Sequence, residues 1–170
     1  VRRDRIAALV GEDDVAGYAR DGVCVLRGIF DDAWLSALRA GVERNLAEPG
    51  PYAGEHGDGE GKFFDDYCNW ERIAEYSAFV YDSPAAAIAA AVMRSPSAQF
   101  FHEHVLVKEP GTAKRTPWHQ DAPYYCVDGS QTVSFWIPLD PVPRDVCPEF
   151  VAGSHHWGKL FYPRRFADDT

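Results

Sequence analysis

The sequence predicts one α+β domain in which helices come first and antiparallel β-structure follows, the β part being a sandwich or a double-sheet jelly roll. Three observations predict it. Helix caps and a helical apolar stripe fall within residues 1–95. Strict alternation of apolar and polar residues takes over in residues 96–170. The chain has 170 residues, 46% of them hydrophobic and 14% aromatic, enough to bury roughly 70% of the unfolded surface around a single core without disulfides or metals as staples. No internal repeat divides it, so residues 1–170 are expected to form a single domain.

The elements follow in order. Residues near Asp13 to Arg20 read as a short helix stopped by Gly22, and Val23 to Leu26 as a short strand. Asp31 is a good N-cap for a second helix, whose Leu35, Leu38, Val42 and Leu46 form one stripe and which ends at Pro49-Gly50-Pro51. The stretch 54 to 61 carries Gly54, Gly57, Gly59 and Gly61 among acids, which suggests an exposed loop or lid. Ser83-Pro84 starts a third helix, with Pro at the first helical position, and the apolar Ala85 to Met93 should be buried. Gln99 to Lys108 alternates, with Phe100, His102, His104 and Leu106 on one face. Pro110-Gly111 turns the chain, and Thr116 to Asp121 reads as extended. Gln131 to Leu139 splits into an apolar face (Val133, Phe135, Ile137, Leu139) and an opposite one (Thr132, Ser134, Trp136), and Glu149 to Ala152 is a further short strand.

Composition narrows the function. The net charge is -9, whereas nucleic-acid binding needs clustered Lys and Arg, so a polyanionic partner is not expected. Arg2, Arg3 and Arg5 precede only the short apolar run Ile6 to Val10, too little for a signal-peptide core. The longest apolar run, Ala85 to Met93, falls well short of the ~20 residues that span a bilayer, so no membrane partner is expected. Cys24, Cys68, Cys126 and Cys147 lie far apart without a C-x-x-C, which argues for neither zinc ribbon nor disulfide scaffold and makes the reducing cytoplasm the expected compartment. The chain begins with Val, so an upstream portion is expected to have been removed or left out.

Three constellations carry chemistry. In His119-Gln120-Asp121, an extended backbone would aim an imidazole and a carboxylate to one side. With a distant His they would make a two-His-one-carboxylate triad that leaves iron positions open. With 6 His and 26 acids in the chain, about one H-x-acid match is expected by chance. His56-Gly57-Asp58 is a second match, in the glycine-rich loop where no rigid strand aims the ligands. Taken alone, His119 and Asp121 read equally as a hydrogen-bonded pair at a strand end. His102-Glu103-His104 followed by Glu109 resembles a cupin metal cluster, but Pro96 stands where cupins carry glycine, so polar lining of a cavity wall is the simpler reading. Thr132, Ser134 and Trp136 suit either a small-molecule pocket or a solvated sheet face with one packed Trp. There is no G-x-S-x-G, no P-loop and no G-x-G-x-x-G.

Residues 116–158 read TPWHQDAPYYCVDGSQTVSFWIPLDPVPRDVCPEFVAGSHHWG. This resembles the phytanoyl-CoA dioxygenase family of Fe(II)- and 2-oxoglutarate-dependent oxygenases: W-H-Q-D with an aromatic pair, a strand with a W-I-x-L-D end, then a G-S-H-x-W-G turn. Upstream, DGVCVLRGIFDDAWLSALR and KFFDDYCNW resemble the family's first strand and helix and the segment before its central helix. The resemblance implies a double-stranded β-helix (jelly roll) with the N-terminal helices packed on one sheet. It implies Fe(II), 2-oxoglutarate and O2 as cofactor and co-substrates, and hydroxylation of an unactivated C–H of a small molecule with release of succinate and CO2.

Carried over by position, His119 and Asp121 are implied iron ligands. Trp136, His104 and Lys62 are implied contacts of 2-oxoglutarate. His155, in the G-S-H turn, is implied to be structural. A carboxylate at Asp121 fits an oxygenase, because related halogenases carry a small residue there. Residues 54 to 67 are the expected lid over the substrate. Two local departures are Asp145-Val146 in place of Asn-Gly and Ala152 in place of Pro. The family's second iron His and its 2-oxoglutarate Arg lie further on, so the 170 residues are expected to be a fragment lacking the last strands. Two other readings stay open: a cupin-like metal protein using His102, His104 and Glu109, and a non-catalytic small-molecule-binding jelly roll that has lost its iron site. Oligomeric state and substrate identity are not legible.

Overall fold

A computed structural model describes residues 9–56, 60–112 and 115–163. The first helix, α1 (Glu12–Asp21), begins where the Asp14 carboxylate accepts the Gly11 N–H at 2.9 Å and ends at Gly22, whose φ of 79° is the left-handed cap conformation that glycine adopts without strain. The second, α2 (Asp32–Ala47), is capped as the sequence predicts: the Asp31 side chain accepts from the Trp34 N–H at 3.0 Å. Its expected stripe is only half-buried, and Leu46 is exposed. The buried positions are Gly41 and Asn45. A Cβ at Gly41 would stand 2.5 Å from the Tyr76 ring, so this glycine is what lets the next helix approach.

A short strand β1 (Gly54–Glu55) precedes β2 (Phe63–Tyr67), then helices α3 (Ala74–Asp82) and α4 (Ala85–Val92), then β3 (His104–Lys108). The sheet is antiparallel in the order β1-β2-β3, with Gly54 opposite Asp65 and Phe63 to Tyr67 opposite Lys108 to His104. The Ser83 hydroxyl accepts from Ala85 N–H at 3.2 Å, so Ser83-Pro84 opens α4, but Pro84 is the N-cap and Ala85 the first helical residue, one position later than expected. Ile88 and Val92 of α4 pack with Val10 and Val15 of the α1 side, flanked by Tyr18, Leu26 and Ile29, and Ala89 is buried as well. Helix α3 packs on α2, where Phe79 lies edge-on to Phe30 and Trp34 at 4.9 and 5.5 Å. No helix among the described residues is long and apolar enough to cross a membrane.

The molecule is therefore α+β, but its β part differs from the expectation. Within 96–170, expected to be mainly strands, His104–Lys108 is the one strand among the described residues. Val23–Leu26, residues 131–139 and Glu149–Ala152 have no ladder, and the 99–108 strand is cut to its second half. Alternation states which face a residue would occupy; it does not supply the neighbour that a strand must pair with. The expected lid is also revised. Residues 57–59, with Asp58 of the second H-x-acid match, lie outside the described residues, but Gly54–Glu55 and Phe63–Tyr67 are sheet strands. Gly61 is buried against the turn at Pro110-Gly111, where a Cβ would meet the Pro110 carbonyl at 2.5 Å. Helix α3 and strand β2 were absent from the sequence expectation.

Between sheet and helices lies a buried polar knot. Asp66 has no exposed surface. Its carboxylate accepts from Asn45 Nδ2 and Gly50 N–H, each at 2.7 Å, and from Tyr67 N–H at 2.9 Å. Burial alone would push its pKa up, but these donors outweigh it and hold the carboxyl below the ordinary carboxylate value. Asn69, also fully buried, accepts from Arg72 Nε at 2.6 Å, and its own N–H donates to Glu103.

Candidate functional site

The segment after Thr116 does not run on as a strand. Asp121 has φ -70° and ψ -40° and opens a 3-10 turn at Ala122–Tyr124. The convergence of His119 and Asp121 thus comes from a turn, not from strand alternation, yet it is realised: His119 Nε2 stands 3.2 Å from Asp121 Oδ1. His119 Nδ1 is 2.8 Å from the Pro117 carbonyl oxygen. A carbonyl can only accept, so Nδ1 carries the proton and Nε2 is left with the lone pair. That nitrogen faces a carboxylate oxygen, an arrangement that suits either a proton between them or a metal ion held by both. Neighbouring positions on an octahedral ion with bonds of about 2.1 Å lie about 3.0 Å apart, so the pair has the spacing of two adjacent ligands.

The remaining carboxylate oxygen is held from another segment. Ser134 Oγ donates to Asp121 Oδ2 at 3.1 Å, and the Tyr125 hydroxyl lies 3.1 Å from Ser134 Oγ. Burial pushes the Tyr125 phenol above its ordinary pKa, and the nearby Asp121 charge adds to that. Gln120 points the other way, its amide donating to the Lys159 carbonyl and accepting from Phe161 N–H, each at 2.9 Å. The motif's middle residue therefore ties the turn to the segment beyond the G-S-H turn. His155 and His156 each reach the Ala19 carbonyl at 3.0 Å, and Gly153 N–H bonds to the Asp21 carbonyl at 2.8 Å. The G-S-H turn thus caps the end of α1, which agrees with a structural role for His155. A small concavity lies there, between Tyr18, Met93, Thr132 and the two histidines, away from His119.

The other predicted site residues are dispersed. Trp136 is 52% exposed, and its ring has no aromatic neighbour among the described residues. Lys62 is exposed, and its backbone locks the sheet edge: its N–H donates to Glu109 Oε2 at 3.1 Å and its carbonyl accepts from Glu109 N–H at 2.9 Å. His104 Nε2 lies 3.1 Å from Asp65 Oδ2, while His56 Nε2 lies 2.6 Å from Asp65 Oδ1. Sequence reading missed this imidazole–carboxylate–imidazole cluster. The signal was in FFDDY, where alternation on β2 buries Asp66 and turns Asp65 to the opposite face.

The cupin-like set does not assemble. His104 is engaged by Asp65, and His102 lies edge-on to Phe101 and Tyr125 at 4.7 and 6.0 Å with its pKa lowered by burial and by His104. Glu109 is turned to the Lys62 backbone. Among the described residues, no three His, Cys, Asp or Glu side chains come together as a metal site.

A family model described as phytanoyl-CoA dioxygenase (PhyH) matches residues 18–170. No curated protein and no solved structure matches the chain.

Proposed function

Because this chain belongs to the phytanoyl-CoA dioxygenase family, whose members are typically Fe(II)- and 2-oxoglutarate-dependent dioxygenases, we propose that it hydroxylates an unactivated C–H of a small organic molecule. One observation carries the reading. His119 and Asp121 present an imidazole nitrogen and a carboxylate oxygen 3.2 Å apart, with the imidazole's other nitrogen already satisfied by Pro117. These are two donors of a facial triad, and the donor set suits Fe(II). Bound there with 2-oxoglutarate and O2, iron supplies the oxidising power for C–H hydroxylation, with succinate and CO2 as products.

The chain's own contribution is to fix the donors. Pro117 sets the His119 tautomer, Ser134 holds Asp121, and Gln120 anchors the turn between them. On the resemblance we assign Trp136, His104 and Lys62 to the co-substrate, and the jelly roll to the complete fold. The four cysteines are free, which suits the cytoplasmic compartment we propose.

The test is an anaerobic titration with Fe(II) and 2-oxoglutarate, read by the iron-to-co-substrate charge-transfer absorption. The band should appear with the parent protein and vanish with His119→Ala. A parent protein that binds Fe(II) no better than His119→Ala would overturn the reading.

A further inference from the structure

We propose that Ser134 and Tyr125 form a positioning pair that holds the Asp121 carboxylate in its metal-ligating orientation. The inference rests on the reading of His119 and Asp121 as iron ligands and adds two residues to it. Asp121 needs such a device. Its side chain is half exposed and makes no capping bond to the turn that it opens, so the backbone of that turn does not fix the carboxylate plane.

Ser134 has one hydroxyl proton, and it goes to Asp121 Oδ2 at 3.1 Å. With that proton on Asp121, Ser134 Oγ is left to accept the phenol O–H of Tyr125, 3.1 Å away. With Oδ2 held, Oδ1 stays directed at His119 Nε2, 3.2 Å away. Tyr125 is itself fixed: its ring lies edge-on to Phe101 and His102 at 5.5 and 6.0 Å, just ahead of β3. The sheet side therefore fixes the phenol, the phenol orients the serine, and the serine orients the ligand. His119 has the matching support in Pro117. Partners of this kind typically change metal affinity 10- to 100-fold when removed.

The experiment measures the anaerobic Fe(II) dissociation constant of the full chain and of Ser134→Ala, Ser134→Thr, Tyr125→Phe and His119→Ala, each with a thermal unfolding scan. Ser134→Ala should bind Fe(II) about 10- to 100-fold more weakly with little change in unfolding. Ser134→Thr keeps the hydroxyl and should recover binding to within about threefold of the parent, a rescue that a merely structural role would not give. Tyr125→Phe should weaken binding by a smaller factor, about 3- to 10-fold, and carries the test if Ser134→Ala does not fold.

If His119→Ala loses Fe(II) while Ser134→Ala and Tyr125→Phe bind as the parent does, the positioning pair is overturned and the iron site stands. If Ser134→Thr binds as weakly as Ser134→Ala, the hydroxyl is not the positioning group and the proposal fails. If the parent and His119→Ala bind alike, the iron-site reading fails and takes the proposal with it.

Discussion

Residues 9–92 and residues 93–163 are built on different principles. The first region holds every buried residue among those described, including Ile73 and Ile88 and the polar knot of Asn45, Asp66 and Asn69; nothing described after Val92 is buried. The second region carries the candidate iron ligands; β3 joins it to the first through its ladder with β2, and the part beyond β3 is held to the first by single long-range bonds. The Tyr18 hydroxyl reaches the Thr132 carbonyl at 3.4 Å, Arg39 reaches the Leu139 carbonyl, and His155 and His156 reach that of Ala19. Burial supplies most folding free energy, whereas a solvent-accessible hydrogen bond contributes little net. Stability and chemistry are thus assigned to different residues, and each should be removable without the other.

The largest effect that can break this comparison comes from the second region. Asp121→Ala should abolish Fe(II) binding, a loss beyond the ~100-fold of an outer partner. Its urea unfolding should move by no more than about 0.5 kcal/mol, because the side chain is half exposed and caps nothing. A large loss of stability in that variant would mean that the two regions are not separate. In the first region, Ile88→Ala removes a side chain only 1% exposed and should cost about 3 kcal/mol of unfolding free energy. The Fe(II) affinity of its folded fraction should equal the parent's.

The polar knot gives the next effect. Asp66→Asn turns an amide N–H toward a donor in place of an acceptor and should cost about 2 kcal/mol at neutral pH. The pH dependence sharpens this. The folded pKa of Asp66 lies below its ordinary value, so its stabilisation is present above the carboxylate range of about 3.9 and is lost as pH falls through the lower folded value. Glu103 has the opposite sign: burial raises its pKa, and ionising it as pH rises through its own range costs stability. Urea unfolding of the parent and of Asp66→Asn between neutral and acid pH should therefore show a shallower acid loss in the variant. Equal slopes would remove Asp66 as the source. The smallest effect is Asp31→Ala, which removes the 3.0 Å cap on Trp34 N–H and should cost about 1 kcal/mol by the same assay.

What could be read in advance follows from the same physics. Helix boundaries at Asp31, Gly22 and Ser83-Pro84 were legible because caps and stops are set by neighbours in sequence. Helix α3 was missed because it opens at Ile73 without a side-chain cap, and β2 because its central pair is acidic. The pairing of His119 with Asp121 was legible from spacing and family resemblance, although the backbone that achieves it is a turn. The roles of Ser134, Tyr125, Asp65 and His56 were not, because each depends on a partner 9 or more residues away or in another segment.

By itself, then, the sequence determined the family, the α+β class, the helix caps and the pairing of His119 with Asp121. All of these are written in residue identity and short spacing. Tertiary structure alone decided which alternating segments became strands, which carboxylates are buried and which hydroxyl orients a ligand. Those outcomes depend on what stands opposite a residue in space: a strand needs a neighbour for its N–H and C=O groups, and a buried carboxylate needs donors. Asp65 and Asp66 are adjacent and chemically identical, yet one meets two histidines at the surface and the other three hydrogen-bond donors in the core.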